Sequence, residues 1–474
     1  MMKYKSWIRG ACLVFFITFM VTGIGGDLSA KDRTYEELKL FSDVLDEIEK
    51  NYVEPVESKE LIEKAIHGLI NSLDPHSAFL PPEAFENLQE ETKGEFGGIG
   101  IVITKRDNLL TVVSPVEGTP AYKAGVKAND VIIKVDGKAT QDMMLWEAVN
   151  LMRGKAGTTV KITVLREDVS EPVEFSLIRD IIPLDSVRHA KLKDGYGYLW
   201  VTNFRENTAD EVNKALADLE KQNNPMKGLI LDLRDNPGGL LNQAVAVSDV
   251  FLEDGAIVSI RGRDKKQEDV FKAEPNGNKH DYPIVLLING GSASAAEIVA
   301  GALQDNHRAL VIGTSSFGKG SVQTVKPLRN GYALKYTIAR YYTPNGTSIQ
   351  ASGITPDLVV KRRLLDENAT GELEAVRLKE QDLKGHLINE LGEPESLNPE
   401  QELKEEEPKE EKEKPATESK ADDETDMEKL LRLREVVYEN STQAPETLLL
   451  DSQVNRAYEI LRGYEIFQAF GKKG

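Results

Sequence analysis

Asn289-Gly290-Gly291-Ser292-Ala293-Ser294-Ala295-Ala296-Glu297-Ile298 decides how this chain is read. The stretch follows Ile284-Val285-Leu286-Leu287-Ile288, a continuous apolar run that predicts a buried strand. It leads into Ile298-Val299-Ala300-Gly301-Ala302-Leu303, which predicts a helix. A hydroxyl at a strand-to-helix turn sits beside unpaired backbone N–H groups and the positive end of the helix. That setting suits a nucleophilic Ser294 and a developing oxyanion. A tight packing turn that needs small residues explains these ten positions equally well.

Working outward, Lys319 lies 25 residues after Ser294, in Ser315-Ser316-Phe317-Gly318-Lys319-Gly320-Ser321-Val322-Gln323. The apolar run Ala309-Leu310-Val311-Ile312-Gly313 precedes it. A Lys drawn into the interior between two strands loses its charge more readily, and the neutral amine is a base. An exposed loop Lys is the other reading of Gly-Lys-Gly.

Together these motifs resemble the C-terminal processing, or tail-specific, serine proteases. The resemblance runs from about residue 34 to 360 and resumes near 451–463. It takes in Leu73-Asp74-Pro75-His76-Ser77, Asp232-Leu233-Arg234-Asp235-Asn236-Pro237-Gly238-Gly239 and Gly353-Ile354-Thr355-Pro356-Asp357. It implies Ser294 as nucleophile, Lys319 as general base and Gln323 as the residue that orients the lysine. It further implies an oxyanion hole made by the Ala295 N–H and a glycine N–H of the Gly238-Gly239 turn, taken as Gly239. Such an enzyme needs no cofactor. Family members often carry Ser where this chain has Ala296, and that Ser is not the nucleophile.

With 474 residues the chain exceeds one ordinary core, so several domains are expected. A net charge of −19 argues against nucleic acid as a partner. Lys3, Lys5 and Arg9 precede an apolar run from Ala11 to Val21, the layout of a signal peptide over residues 1–30. Cleavage after Ala30 would release the protein into a bacterial periplasm; an uncleaved N-terminus would tether it to the inner membrane. Cys12, the single cysteine, lies in this segment, so the mature chain has no disulfide and no thiolate nucleophile.

Residues 31–85 predict a helical region. Leu38, Phe41, Leu45, Ile48 and Tyr52 recur at helical spacing, as do Leu61, Ile62, Ala65, Ile66, Leu69 and Leu73, with Pro55 as the break. The protein body or a second subunit could cover these faces, and the resemblance raises a homodimer. Residues 93–179 open on Gly97-Gly98-Ile99-Gly100, a glycine turn ahead of a strand whose consecutive N–H groups make an anion nest. With Ala124-Gly125-Val126 and Asp130-Val131-Ile132-Ile133-Lys134-Val135-Asp136-Gly137, the unit resembles a PDZ domain. Such a domain takes a peptide's C-terminal carboxylate into the nest and adds the peptide as a strand. The implied partners are proteins or peptides with free C-termini. Arg153 follows the expected helix Met144–Met152. It either reports tail binding to the protease body or caps that helix.

Residues 180–362, with parts of 86–92, alternate strands and helices and form the expected α/β protease core. Asp232, Arg234 and Asp235 read as a structural salt bridge that orients the glycine turn rather than as a metal site, since no second acidic cluster or ligating His lies nearby. His307, in Asp305-Asn306-His307-Arg308, reads as a helix end rather than a catalytic base. Residues 363–401 form a helical or linker region. Residues 402–426 carry 12 Asp/Glu against 5 Lys and form an acidic insert that cannot bury a core. Residues 427–474 form a C-terminal helical region. The fold class is thus an α/β protease core with an inserted β-rich PDZ domain and helical N- and C-terminal regions. A non-catalytic PDZ scaffold or chaperone for envelope proteins is the alternative function.

Overall fold

The computed structural model describes residues 25–365, 378–389 and 447–471, apart from 107–108, 117, 142, 168, 170, 265–267, 276 and 278–279. The basic and apolar residues of the expected signal peptide, the acidic insert and residues 427–446 of the expected C-terminal helical region lie outside the described residues. The chain divides into two compact units, Met1–Leu73 and Asp74–Gly474.

In the first unit, α1 (Gly25–Asn51) and α2 (Ser58–Asn71) are separated by the turn that holds Pro55. The Ser58 hydroxyl donates to the Glu49 carboxylate at 2.5 Å, tying the start of one helix to the end of the other. Among the described residues no helix is long and apolar enough to cross a membrane.

The second unit begins with β1 (Ala78–Leu80), α3 (Pro82–Lys93) and β2 (Glu95–Gly98). An inserted β domain follows: β3 (Ile101–Arg106), β4 (Leu109–Pro115), α4 (Pro120–Lys123), β5 (Val131–Val135), β6 (Lys138–Ala139), α5 (Leu145–Met152), β7 (Thr159–Leu165) and β8 (Val173–Ile178). Its antiparallel sheet has the order β3-β4-β5-β7-β8, with β6 paired to β5. Alternate residues such as Val160, Ile162 and Val164 point into a core with Ile99, Leu110, Val112 and Met152. The chain leaves through β9 (Asp180–Pro183), which pairs antiparallel with β2, so entry and exit form one ribbon. Arg179 fastens that ribbon to the domain by donating to the carbonyls of Leu151, Met152 and Thr159.

The protease-like part follows: β10 (Val187–Lys191), β11 (Tyr196–Val201), α6 (Thr208–Gln222), β12 (Gly228–Asp232), α7 (Leu241–Phe251), β13 (Ala256–Gly262), β14 (Glu268–Lys272), β15 (Ile284–Ile288), α8 (Ala295–Asp305), β16 (Ala309–Gly313), β17 (Ser321–Pro327), β18 (Ala333–Tyr342), β19 (Leu358–Val359) and α9 (Ser452–Gly471). One sheet has the order β10-β11-β12-β15-β16-β19 and is parallel from β11 onward. β11, β12 and β15 are buried along their whole length, as the continuous apolar runs require for a sheet covered on both faces. Residues of α6, α7 and α8 cover one face. Leu448 and, from α9, Val454, Ala457, Tyr458 and Leu461 cover the other. A second sheet joins β1, β18, β13 and β14, with β17 also paired to β18.

The terminal segment is pinned from below the glycine turn. β12 ends at Asp232 because the Arg234 N–H turns back onto the Asp232 carboxylate. The fully buried Arg234 guanidinium pairs with Asp232 at 2.6 Å and Asp451 at 2.9 Å, and donates to Gln453 Oε1 at 2.7 Å. Arg362 reaches Asp451 as well, at 2.9 Å. Asp451→Ala would leave two arginines short of a carboxylate in the interior. It is expected to lower stability by about 3–5 kcal/mol, measured as a fall in the urea midpoint.

Candidate active site

The turn after β15 is stitched to its surroundings by short polar side chains. Asn289 Oδ1 accepts from the N–H groups of Asp235 and Gly291, and its amide nitrogen donates to the Asp235 carboxylate at 2.9 Å. The Ser292 hydroxyl donates to the Leu233 carbonyl at 2.8 Å, and the Ser292 carbonyl accepts from the Phe317 N–H. Ser292 is thus a structural link, fully buried. Two residues on, Ser294 has φ 54° and ψ −113°, outside the regions that an L-residue ordinarily occupies. Such a backbone costs about 1–3 kcal/mol and lifts the side chain out of the turn at the N-terminus of α8.

Glu297, fully buried in the first turn of α8, joins this turn to the lysine loop. One carboxylate oxygen, Oε2, accepts from both the Ser294 N–H at 2.8 Å and the Lys319 N–H at 2.9 Å. The other accepts from the Ser316 hydroxyl at 2.5 Å and the Gly318 N–H at 2.7 Å. Burial pushes the Glu297 carboxyl up to about 7, against the pull of these four donors. Its stabilising contribution is therefore complete below the ordinary carboxyl value and fades as pH rises through about 7.

Lys319 lies between Gly318 and Gly320, in the loop from β16 to β17, and is mostly buried. Burial lowers its pKa from the ordinary 10.5, and the neighbouring Lys335 lowers it further. Glu380, Glu297 and Asp74 pull the other way. Among the described residues its amine makes no hydrogen bond to Ser294. The Ser294 hydroxyl instead lies beside the phenol of Tyr341, a buried residue at the end of β18. Burial pushes that phenol up to about 12, so Tyr341 is neutral. Gln323 lies on β17, where its amide nitrogen donates to Ser321 Oγ at 2.8 Å and Thr337 Oγ1 at 3.3 Å. Thr337 also lines a cleft of about 740 Å³ whose wall includes Arg261, Arg263, Arg340 and Ile338.

The glycine turn lies against the nucleophile. A Cβ on Gly238 would stand 2.8 Å from Ser294 Cβ and 3.0 Å from the Ala295 nitrogen, so only glycine fits. Gly238 directs its own groups elsewhere: its N–H to Asn236 and its carbonyl to Phe204. Neither the Gly239 nor the Ala295 N–H donates to an acceptor among the described residues. Two unspent donors thus flank Ser294.

In the inserted domain, the glycine turn is shorter than its sequence implied. Gly97 and Gly98 belong to β2, and the turn proper is Ile99-Gly100. Gly97 is needed for close approach, since a Cβ there would fall 2.1 Å from the Gly154 carbonyl oxygen. Gly100 has φ 73°, and Ile99 is buried. The N–H groups of Ile99 and Gly100 donate to no acceptor among the described residues. They precede β3, which among the described residues pairs only with β4 and keeps its other edge open. Arg153 ends α5, and its guanidinium stacks on the Phe96 ring at 4.3 Å. That contact places Arg153 on the entry ribbon. His307 sits exposed past the C-terminal end of α8, with Ser294 at the N-terminal end.

The sequence reading gave no role to Glu297, Tyr341 or Glu380. Ser294-x-x-Glu297 is the spacing of a helix capping box, which signals Glu297. Tyr341 and Glu380 carry no local signal.

Three family models match this chain: Peptidase family S41 over residues 195–360, PDZ domain over 97–177, and Activating protease CtpB N-terminal domain over 21–84. The carboxy-terminal-processing protease of Bartonella bacilliformis is 47% identical over 361 residues, 75% of this chain and 82% of that protein. The carboxy-terminal processing protease CtpA of Bacillus subtilis is 39% identical over 355 residues, 74% of each chain. Among solved structures, a photosystem II D1 C-terminal processing protease is 31% identical with a TM-score of 0.40, covering 68% of this chain and 92% of that one. A strand–turn–helix serine, a buried-lysine loop, a glycine turn and a PDZ insert accompany these similarities, and the chain belongs to the carboxy-terminal processing proteases of peptidase family S41.

Proposed function

We propose that this protein is an exported serine endopeptidase that cleaves proteins captured by their C-terminal tails, through a Ser294–Lys319 acyl-enzyme mechanism. One observation carries the reading: the backbone nitrogens of Ser294 and Lys319 donate to the same Glu297 oxygen, so nucleophile and base loops share one anchor. Neutral Lys319 takes the Ser294 proton as Oγ attacks the scissile carbonyl carbon. The carbonyl oxygen becomes an oxyanion held by the Gly239 and Ala295 N–H groups. Collapse breaks the C–N bond, and Lys319 returns the proton to the leaving amine. Water then repeats the sequence on the acyl-enzyme. For attack, the Ser294 hydroxyl turns toward the amine; catalytic hydrogen bonds commonly tighten only with substrate present. Gln323, held through its amide nitrogen, would accept from the Lys319 amine with its oxygen. Export rests on the basic and apolar pattern of residues 3–21, and periplasmic residence on that pattern and the absence of cysteine beyond Cys12. Exposed Leu38, Phe41, Val44 and Tyr52 of the N-terminal helices suit a second copy of the chain.

Tail capture assigns the carboxylate to the N–H groups of the Gly97–Gly100 stretch and the tail backbone to the open edge of β3. Arg153, stacked on Phe96, would pass occupancy of that groove to the β2–β9 ribbon. Amidating a substrate's C-terminus removes the charge that the nest binds. It is expected to lower kcat/KM by about tenfold or more, the worth of a charge-assisted hydrogen bond. Equal rates for free and amidated tails would assign substrate capture to another surface. The scaffold alternative predicts tail binding with no turnover at all, so hydrolysis of a denatured protein separates the two.

A further inference from the structure

Two buried hydrogen-bond chains hold the base loop, and only the Glu297 chain belongs to the nucleophile's own helix. The second starts at the peptide N–H of Gly320, next to Lys319. Gly320 donates to Gln350 Oε1 at 3.0 Å, and Gln350 Nε2 donates to Glu380 Oε1 at 2.9 Å. Glu380 Oε2 meets His76 Nε2 at 2.7 Å. Gln350 and Glu380 are fully buried, whereas the His76 side chain keeps 15% of its surface exposed. Glu380 also donates its backbone N–H to the Phe317 carbonyl, within the lysine loop. His76 is set by Asp74, whose carboxylate accepts from the His76 and Ser77 N–H groups at 2.8 Å. Glu380 and His76 lie outside residues 195–360, the stretch that matches the peptidase model, whereas Gly320 and Gln350 lie within it.

We propose that Glu380, held by His76, is a positioning residue for the base: it fixes the Lys319 loop through Gln350 and sets the negative charge facing the amine. The inference rests on Lys319 being the base. Four titratable groups face that amine: Glu297 from α8, whose carboxyl is itself pushed up to about 7, Asp74 ahead of β1, Glu380 from the segment 378–389, and Lys335 from β18. Burial pushes the Glu380 carboxyl up, but the hydrogen bonds from His76 and Gln350 and the charges of His76 and Lys319 hold it below the ordinary value. It is therefore an anion throughout the range in which a lysine base works, and it favours the protonated amine. Its positional benefit and its electrostatic effect thus oppose each other, which makes them separable.

The test uses the full-length protein and kcat/KM for a tailed peptide across pH 6–10. Glu380→Gln keeps the shape and the acceptor for Gln350 while removing the charge. The acid limb of the profile is expected to move down by about one pH unit. Gln350→Leu cuts the tie to Gly320 without touching a charge, so kcat should fall about tenfold with KM and the limb unchanged. His76→Asn, at the more exposed end of the chain, should lower kcat in the same way if Glu380→Gln fails to fold. A purely structural role for Glu380 predicts lower activity at every pH with an unmoved limb, and that result overturns the proposal. So does wild-type turnover in both Gln350→Leu and His76→Asn. Lys319→Ala is measured alongside. If it loses turnover while the Glu380→Gln limb stays put, this inference falls and the dyad stands; if it keeps turnover, both fall.

Discussion

Ser294→Ala is expected to abolish proteolysis, lowering kcat by about five to six orders of magnitude, as loss of an acyl-transfer nucleophile does. The change leaves the remaining machinery in place. Glu297 still accepts from the residue 294 and Lys319 N–H groups, and the Gly239 and Ala295 donors do not depend on the hydroxyl. Binding of a tail peptide should therefore be unchanged. The backbone allows a sharper version. At φ 54° a side chain of any kind is strained, and glycine is not. Ser294→Gly should be equally inactive yet about 1 kcal/mol more stable than Ser294→Ala, read as a higher melting temperature. Ser292→Ala should lose stability rather than chemistry, because its hydroxyl spans the turn to Leu233. Casein turnover by Ser294→Ala at the wild-type rate would remove Ser294 from the mechanism.

The uneven legibility of this chain follows from where each signal sits. β11, β12 and β15 were visible because both faces are buried, which makes the whole segment apolar. The second sheet was not. β18, Ala-Leu-Lys-Tyr-Thr-Ile-Ala-Arg-Tyr-Tyr, mixes polar and apolar residues over mostly half-buried positions, so neither period dominates. The β2–β9 ribbon was hidden for another reason: its strands lie more than eighty residues apart and pair only because the inserted domain returns the chain to its entry point. At the site, Ser294 and Lys319 announced themselves through small neighbours that the turns require. Glu380 and His76 could not. They meet across 304 residues, and nothing in the local sequence of either names the other. The Arg234–Asp451 pair spans 217 residues in the same way. It gives a physical reason for motifs at both places, since a buried guanidinium beneath the glycine turn requires the carboxylate from the terminal segment.

Lys319→Arg and Lys319→Met should both lose proteolysis, for different reasons and with opposite effects on stability. Arginine does not deprotonate in proteins, so it cannot take the Ser294 proton at any working pH. Methionine fills the same space with no basic atom. In the wild type, burial first and Lys335 second lower the Lys319 pKa below 10.5. Activity should then rise with pH up to that lowered value and level off. The same shift has a cost in stability. Between the folded value and 10.5 the unfolded chain holds a proton that the folded one does not, so stability rises with pH across that window. Below the folded value the full penalty of a buried ammonium applies. Lys319→Met removes the penalty, so its melting temperature should exceed the wild type's at pH 7, with the difference shrinking to nothing as pH passes 10.5. Lys319→Arg keeps a permanent charge in the buried site and should melt at or below the wild type throughout. An active Arg variant would exclude a neutral amine as the base. A Met variant less stable than the wild type at pH 7 would mean that Glu297, Glu380 and Asp74 outweigh burial, leaving the lysine charged where the mechanism needs it neutral.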